Sequence, residues 1–267
     1  MTGVQSVEQR IGEVRAQGRA ALIGYLPVGY PDVAGSVEAM RAMVEGGVDV
    51  VEVGLPYSDP LMDGPIIQRA TQQALDNGAR SRDAFTAVRG VVEAGAPAVV
   101  MTYWNLIDRY GVERFSADLA AAGGSGLVTP DLLPDDAQEW LDASDRHGLD
   151  RIFLVAQTTT PERMVLTARA SRGFLYAASL MGVTGVRAVG VEARELAARV
   201  REVTDLPVCV GLGVRTAEQA ADVAGYADGV IVGTAFVQAL EAGGPPAVRE
   251  LARELADGVR SATPAPA

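Results

Sequence analysis

Eight short runs of β-forming residues recur along the 267-residue chain, at 21–26, 48–54, 98–102, 126–129, 151–155, 174–177, 207–210 and 229–232. Segments with helical spacing of apolar residues lie between them, at 37–45, 83–94, 112–122, 134–146, 161–170, 191–203 and 217–224. Such alternation makes a parallel sheet, because each helix carries the chain back to the end of the sheet at which the previous strand began. Strands in that number and at that spacing predict a single-domain α/β fold, a closed (β/α)₈ TIM barrel, in preference to an open doubly wound sheet. An additional N-terminal helix, 7–16, precedes the first strand and is placed to cap the barrel bottom. No linker or break in composition divides residues 1–267, so they read as one domain. Only 261–267, with its alternating Ala and Pro, reads as a disordered tail.

One of these strands contains a charge. Glu52 sits in Val51-Glu52-Val53-Gly54, where a carboxylate is costly unless it is paired or used. A second acid, Asp63, follows on a loop stiffened by Pro56, Pro60 and Pro65 and ended by Gly64. Barrel active sites lie at the C-terminal ends of the strands, and both acids fall there. They are candidates for acid–base chemistry.

What the chain lacks narrows that chemistry further. All 23 basic residues are arginine, so neither a Schiff base nor covalently attached pyridoxal phosphate is possible on this chain. The only histidine, His147, lies in Asp145-Arg146-His147-Gly148, which reads as a solvated helix end with a glycine cap. With Cys209 the only cysteine, there is no basis for a disulfide or a thiolate metal cage. Carboxylates must therefore carry any proton transfer. A net charge of −11 and a pI near 4.6 argue against nucleic acid and anionic membranes as partners. The N-terminus has no signal-peptide pattern and no run is long enough to span a bilayer, so a reducing cytoplasm is the expected compartment.

Three glycine-rich turns follow the last three strands: Gly182-Val183-Thr184-Gly185, Gly211-Leu212-Gly213 and Gly233-Thr234. Glycine lets backbone N–H groups approach an anion closely, and the loops after strands seven and eight are the usual phosphate site of such barrels. The segment 180–190, with three glycines and Arg187, reads as a lid over the ligand.

With these residues in view, the chain from about Glu8 to Leu255 resembles the alpha subunit of tryptophan synthase. The resemblance is carried by Glu52 in Val-Glu-Val-Gly, by Pro56-Tyr57-Ser58-Asp59-Pro60-Leu61-Met62-Asp63-Gly64-Pro65, by Met101-Thr102-Tyr103-Trp104-Asn105, by Pro130-Asp131-Leu132 and by Ser179-Leu180-Met181-Gly182-Val183-Thr184-Gly185. It implies a lyase that cleaves indole-3-glycerol phosphate to indole and D-glyceraldehyde 3-phosphate. Residue by residue, it implies Glu52, Asp63 and Tyr176 as catalytic. Tyr25, Tyr103, Thr184 and Leu212 would line the substrate, and Gly185, Gly213, Gly233 and Thr234 would hold its phosphate. Departures from the family pattern are Leu212 where phenylalanine is frequent, Thr234 for serine, Gln157 for proline and Thr129 for an aliphatic residue. No cofactor is implied for this chain; pyridoxal phosphate would belong to a partner beta subunit in an alpha2-beta2 heterotetramer, contacted through Asp59, Pro60 and Asn105. The alternatives are a stand-alone lyase releasing free indole, another phosphate-binding barrel enzyme such as a sugar-phosphate isomerase, and a non-catalytic phosphate-binding barrel.

Overall fold

The computed structural model describes residues 6–178, 191–211 and 213–262. In chain order the strands are β1 (Ala21–Pro27), β2 (Val50–Gly54), β3 (Ala98–Met101), β4 (Gly126–Val128), β5 (Asp150–Ile152), β6 (Leu154–Ala156), β7 (Leu175–Ala178), β8 (Val208–Gly211) and β9 (Gly229–Val232). The helices are α1 (Val7–Ala16), α2 (Val33–Gly46), α3 (Pro65–Asp76), α4 (Asp83–Glu93), α5 (Trp104–Tyr110), α6 (Val112–Ala121), α7 (Gln138–His147), α8 (Pro161–Ala170), α9 (Val191–Arg201), α10 (Ala217–Ala224) and α11 (Thr234–Ser261). The strands pair in the order β5-β4-β3-β2-β1-β9-β8-β7-β6, and every ladder is parallel. Since β5 and β6 are separated only by Phe153, the chain itself joins the two ends of that order, and the sheet is a barrel.

The expected strand 151–155 is thus divided in two. Residues 150–152 pair with β4 and residues 154–156 with β7, so the strand passes from one neighbour to the other at Phe153. Closing a barrel requires staggered registers, and here the stagger appears as this change of partner.

Side chains alternate across the barrel wall. Ile23, Val50, Val99, Ile152 and Phe174 point inward into one apolar cluster, while Leu22, Val51, Val100, Phe153 and Leu175 point outward into a larger one shared with the helices. At the bottom, Val7, Ile11 and Val14 of α1 are fully buried in the inner cluster. Each such side chain stabilises the fold by about 2 kcal/mol relative to exposure.

The helices carry local signals that fix their ends. Ser6, Asp32 and Thr160 accept N-terminal N–H groups of α1, α2 and α8, and Pro161 opens α8. Gly47 closes α2 with φ 107°, a conformation that favours glycine. The single helix expected at 134–146 is two pieces, a 3₁₀ turn over Pro134–Asp136 and then α7. Three further helices, α3, α5 and α11, lay outside the sequence reading. α11 is broken at Gly243 and Gly244, before Pro245 and Pro246, and ends at Ser261, so the first tail residue is helical. Ala262 caps the helix, and 263–267 lie outside the described residues. His147 ends α7 as expected and pairs with Glu113 on α6 at 2.8 Å, alongside Arg146.

Candidate active site

A cavity of about 620 Å³ opens at the C-terminal ends of the strands, and Glu52, Asp63 and Tyr176 all line it. Tyr25, Gly213, Gly233 and Thr234 line it as well. The barrel therefore gathers seven of the residues singled out in the sequence. Leu212, Thr184 and Gly185 lie outside the described residues.

Glu52 occupies the middle of β2, in register with Tyr25 of β1 and Val99 of β3. Strand alternation turns its side chain inward, where it is 2% exposed and its Oε1 has no hydrogen-bond partner. An ionised carboxylate there would lose its hydration without replacement. Burial alone raises its pKa from 4.5 to about 8, so the free site holds Glu52 as a carboxylic acid at neutral pH.

Asp63 sits differently. It comes from the loop after β2, and Gln68 on α3 steadies that loop by donating to the Asp63 carbonyl at 2.8 Å. Tyr103, which follows β3, accepts the Met62 N–H at 3.0 Å, and its hydroxyl lies near the Asp63 carboxyl and favours its ionised form. Burial raises the Asp63 pKa to about 6 and the Tyr103 hydroxyl restrains the rise. Tyr103 is itself braced, stacked on Tyr57 with ring centroids 5.0 Å apart, while Asn105 donates to the Tyr57 hydroxyl at 3.3 Å. The sequence reading has Tyr103 as a pocket aromatic; the structure makes it also the holder of Asp63.

Two tyrosine rings fit because glycines face them. A Cβ on Gly54 would lie 2.5 Å from the Tyr25 hydroxyl oxygen, and one on Gly211 would overlap the Tyr176 hydroxyl. Burial pushes the pKa of both phenols well upward and the neighbouring carboxyls push in the same direction, so both stay neutral hydrogen-bond donors.

Elsewhere in the cavity lining Gly233 precedes the first turn of α11, and Thr234 begins it. Exposed N–H groups and the helix dipole make this end receptive to an anion. Gly213, with φ 66°, brings a second glycine backbone segment into the lining. The apolar part of the lining includes Met101, Val128, Leu154 and Ile231. Sequence reasoning did not single out Val128, Leu154 or Ile231 as site residues, although inward position near a strand's C-terminal end was an available signal.

Asp59 and Asn105 are exposed on the rim and Pro60 is half-buried. Leu61 beside them is 83% exposed, an unusual position for leucine on a loop at a site. No group of three or more His, Cys, Asp or Glu among the described residues is arranged to hold a metal ion.

Comparison with known proteins finds relatives over nearly the whole chain. The family model described as tryptophan synthase alpha chain matches residues 11–262. The chain is 63% identical over 265 residues to the tryptophan synthase alpha chain of Mycobacterium avium (strain 104), covering 97% of this chain and 98% of that one. Among solved structures, Mycobacterium tuberculosis tryptophan synthase in space group F222 superposes with a TM-score of 0.91 at 61% identity, covering 95% of this chain and 98% of that one. Tryptophan synthase subunit alpha from Legionella pneumophila str. Paris gives 0.87 at 31% identity, with 96% and 99% covered.

Proposed function

The chain belongs to the tryptophan synthase alpha chain family, and from that premise we propose that Glu52 and Asp63 divide the proton transfer and charge stabilisation of its reaction. The chain is a lyase of L-tryptophan biosynthesis that cleaves indole-3-glycerol phosphate to indole and D-glyceraldehyde 3-phosphate by a retro-aldol step. The observation that carries the assignment of roles is the buried Glu52 carboxyl, protonated up to about pH 8 in the same cavity as an Asp63 that ionises near 6. Two acids whose surroundings drive their pKa values apart are suited to opposite roles.

Breaking the C–C bond at indole C3 directly would leave its electron pair on an aromatic carbon. Glu52 therefore first gives its proton to C3, and the ring becomes an electron sink with positive charge at nitrogen. The Asp63 carboxylate faces the ring N–H and stabilises that charge as it grows. Glu52, now ionised, takes the proton of the glycerol hydroxyl; the hydroxyl carbon becomes the aldehyde and the bonding pair returns to the ring as indole. The cycle ends with Glu52 protonated again. Tyr176 donates a hydrogen bond that orients substrate or Glu52, while Tyr25, Tyr103, Leu212 and Thr184 flank the substrate. Gly213, Gly233, Thr234 and Gly185 hold the phosphate, the first three supported by the glycine backbone and helix start in the cavity lining.

Glu52→Gln keeps the shape but cannot carry the proton. Cleavage should fall by about 10²–10⁴-fold while binding of a phosphate-ester analogue persists, and retention of a tenth of the parental rate would refute the assignment. Asp63→Asn should lose activity heavily in a folded barrel.

The chain functions as a single domain, in the cytoplasm, with no cofactor of its own. Its partner is a beta subunit that carries pyridoxal phosphate, in an alpha2-beta2 assembly. Asp59, Pro60 and Asn105 form part of the contact, a reading supported by the exposed Leu61 and Met62 beside them. Mixing with a beta subunit should give co-elution and a faster cleavage rate; co-elution without acceleration would defeat the idea that the partner sets the Asp63 loop.

A further inference from the structure

Burial, rather than any neighbouring charge, holds Glu52 in its acid form. The ionisable groups around it are Tyr25 on β1, Tyr176 on β7, Cys209 on β8 and Asp63 at the mouth. None of these is a cation. The interior below Glu52 is continuous apolar packing: Ile23, Val50, Val99 and Phe174 belong to one cluster, against which Met101, Leu154 and Tyr176 of the cavity pack from above. At its lower end the same cluster is completed by Val7, Ile11 and Val14 of α1, each with no exposed surface.

α1 is tied to the barrel rim at three points. The Val7 N–H donates to Asp150 at 2.8 Å, and the Ser6 hydroxyl donates to the same carboxylate at 3.1 Å. Arg10 pairs with Asp49 at 3.1 Å, and Arg15 with Asp228 at 3.2 Å. These acids lie at the N-terminal ends of β5, β2 and β9, spaced round the ring. Asp49 also accepts the Leu22 N–H and Asp228 the Val208 N–H, so each joins α1 to barrel backbone. A helix that merely covered apolar surface would need no such set of anchors.

We propose that α1 is a positioning element of the active site: it seals the lower end of the barrel against water and so keeps the Glu52 carboxyl dry. This rests on the role given to Glu52 above. If the seal opens, water reaches the layer beneath Glu52, the anion is solvated, and the acid form is lost at a lower pH.

The test replaces Ile11 by Asn, which puts a polar group into the seal without touching the cavity, with Ile11→Leu as control. The alkaline limb of kcat/KM for indole release should move down by about one unit, a tenfold weaker hold on the proton, with KM little changed at pH 7 and the control at the parental position. The double variant Arg10→Gln with Arg15→Gln loosens α1 and leaves the interior intact; it should shift the limb in the same direction and speed hydrogen exchange of α1 amides. The carboxylic-acid infrared band of Glu52, identified by its loss in Glu52→Gln, should titrate in parallel. That band reads the proton without turnover, so a parent chain that fails to release indole overturns the assigned reaction and leaves the seal testable. A folded Ile11→Asn protein whose limb and band both stay at the parental pH overturns the proposal. If Ile11→Asn does not fold, the double variant decides, and faster exchange with an unmoved band overturns it equally.

Discussion

Glu52 and Asp63 titrate on opposite sides of neutrality, which gives the site a working window with two edges. As pH rises through about 6, Asp63 ionises and can face a cationic ring; as it rises through about 8, Glu52 loses the proton that C3 must receive. The dependence of kcat/KM on pH should therefore be a bell with limbs near these values, read from indole release. A profile still level well above the upper value would exclude Glu52 as the acid. Both acids were legible in the sequence, because a carboxylate inside an apolar strand and another on a proline-stiffened loop stand out from their surroundings. Leu154 and Ile231 were not. An inward aliphatic residue has the same local pattern whether it packs below the site or faces a ligand; its height in the barrel decides, and the stagger between strands sets that height. The part Tyr103 plays was hidden for a similar reason, since its partners Met62 and Asp63 reach it only across the folded mouth.

At the scale of elements, the strands and barrel helices were readable from period and caps, and α1 was placed to the residue at 7–16. The missed helices carried those signs in places where other features masked them. α3 has a proline at its first turn and an apolar stripe of Ile66, Ile67, Ala70 and Ala74, but it begins directly after the proline-rich loop and reads as its continuation; α5 has only seven residues, and α11 contains a Gly-Gly-Pro-Pro break that reads as its end. Contacts across the chain hold them. α11 packs on α2 closely enough that a Cβ on Gly46 would press into Ala252 and come within 2.5 Å of the Arg249 carbonyl oxygen. Gly46→Ala should push these two helices apart at a cost of about 1–3 kcal/mol in unfolding free energy, seen as a lower denaturation midpoint, with kcat/KM retained because neither helix face lines the cavity. An unchanged midpoint would mean that the helices part without strain.

For the molecule as a whole, the acid at its centre makes stability depend on pH. The unfolded chain releases the Glu52 proton near 4.5, whereas the folded chain keeps it to about 8. Folding then binds a proton throughout that interval, so stability falls as pH rises across it and levels off above. Glu52→Gln removes this slope. The variant should gain on the parent from pH 5 to 8, by an amount reaching a few kcal/mol, and parallel denaturation curves at both pH values would show that Glu52 does not hold its proton in the folded state. The closed ring itself was readable from eight alternating units, but the change of partner at Phe153 was not, since a strand cut in two looks continuous in a run of apolar residues. That change of partner also bears on behaviour in crowded solution. An open sheet of this size would end in two rows of unsatisfied amides, each able to template another chain. Here one continuous stretch, Asp150 to Ala156, pairs with β4 through its first half and with β7 through its second, so among the described residues neither end of the strand order is left as a full-length row for strand-to-strand aggregation.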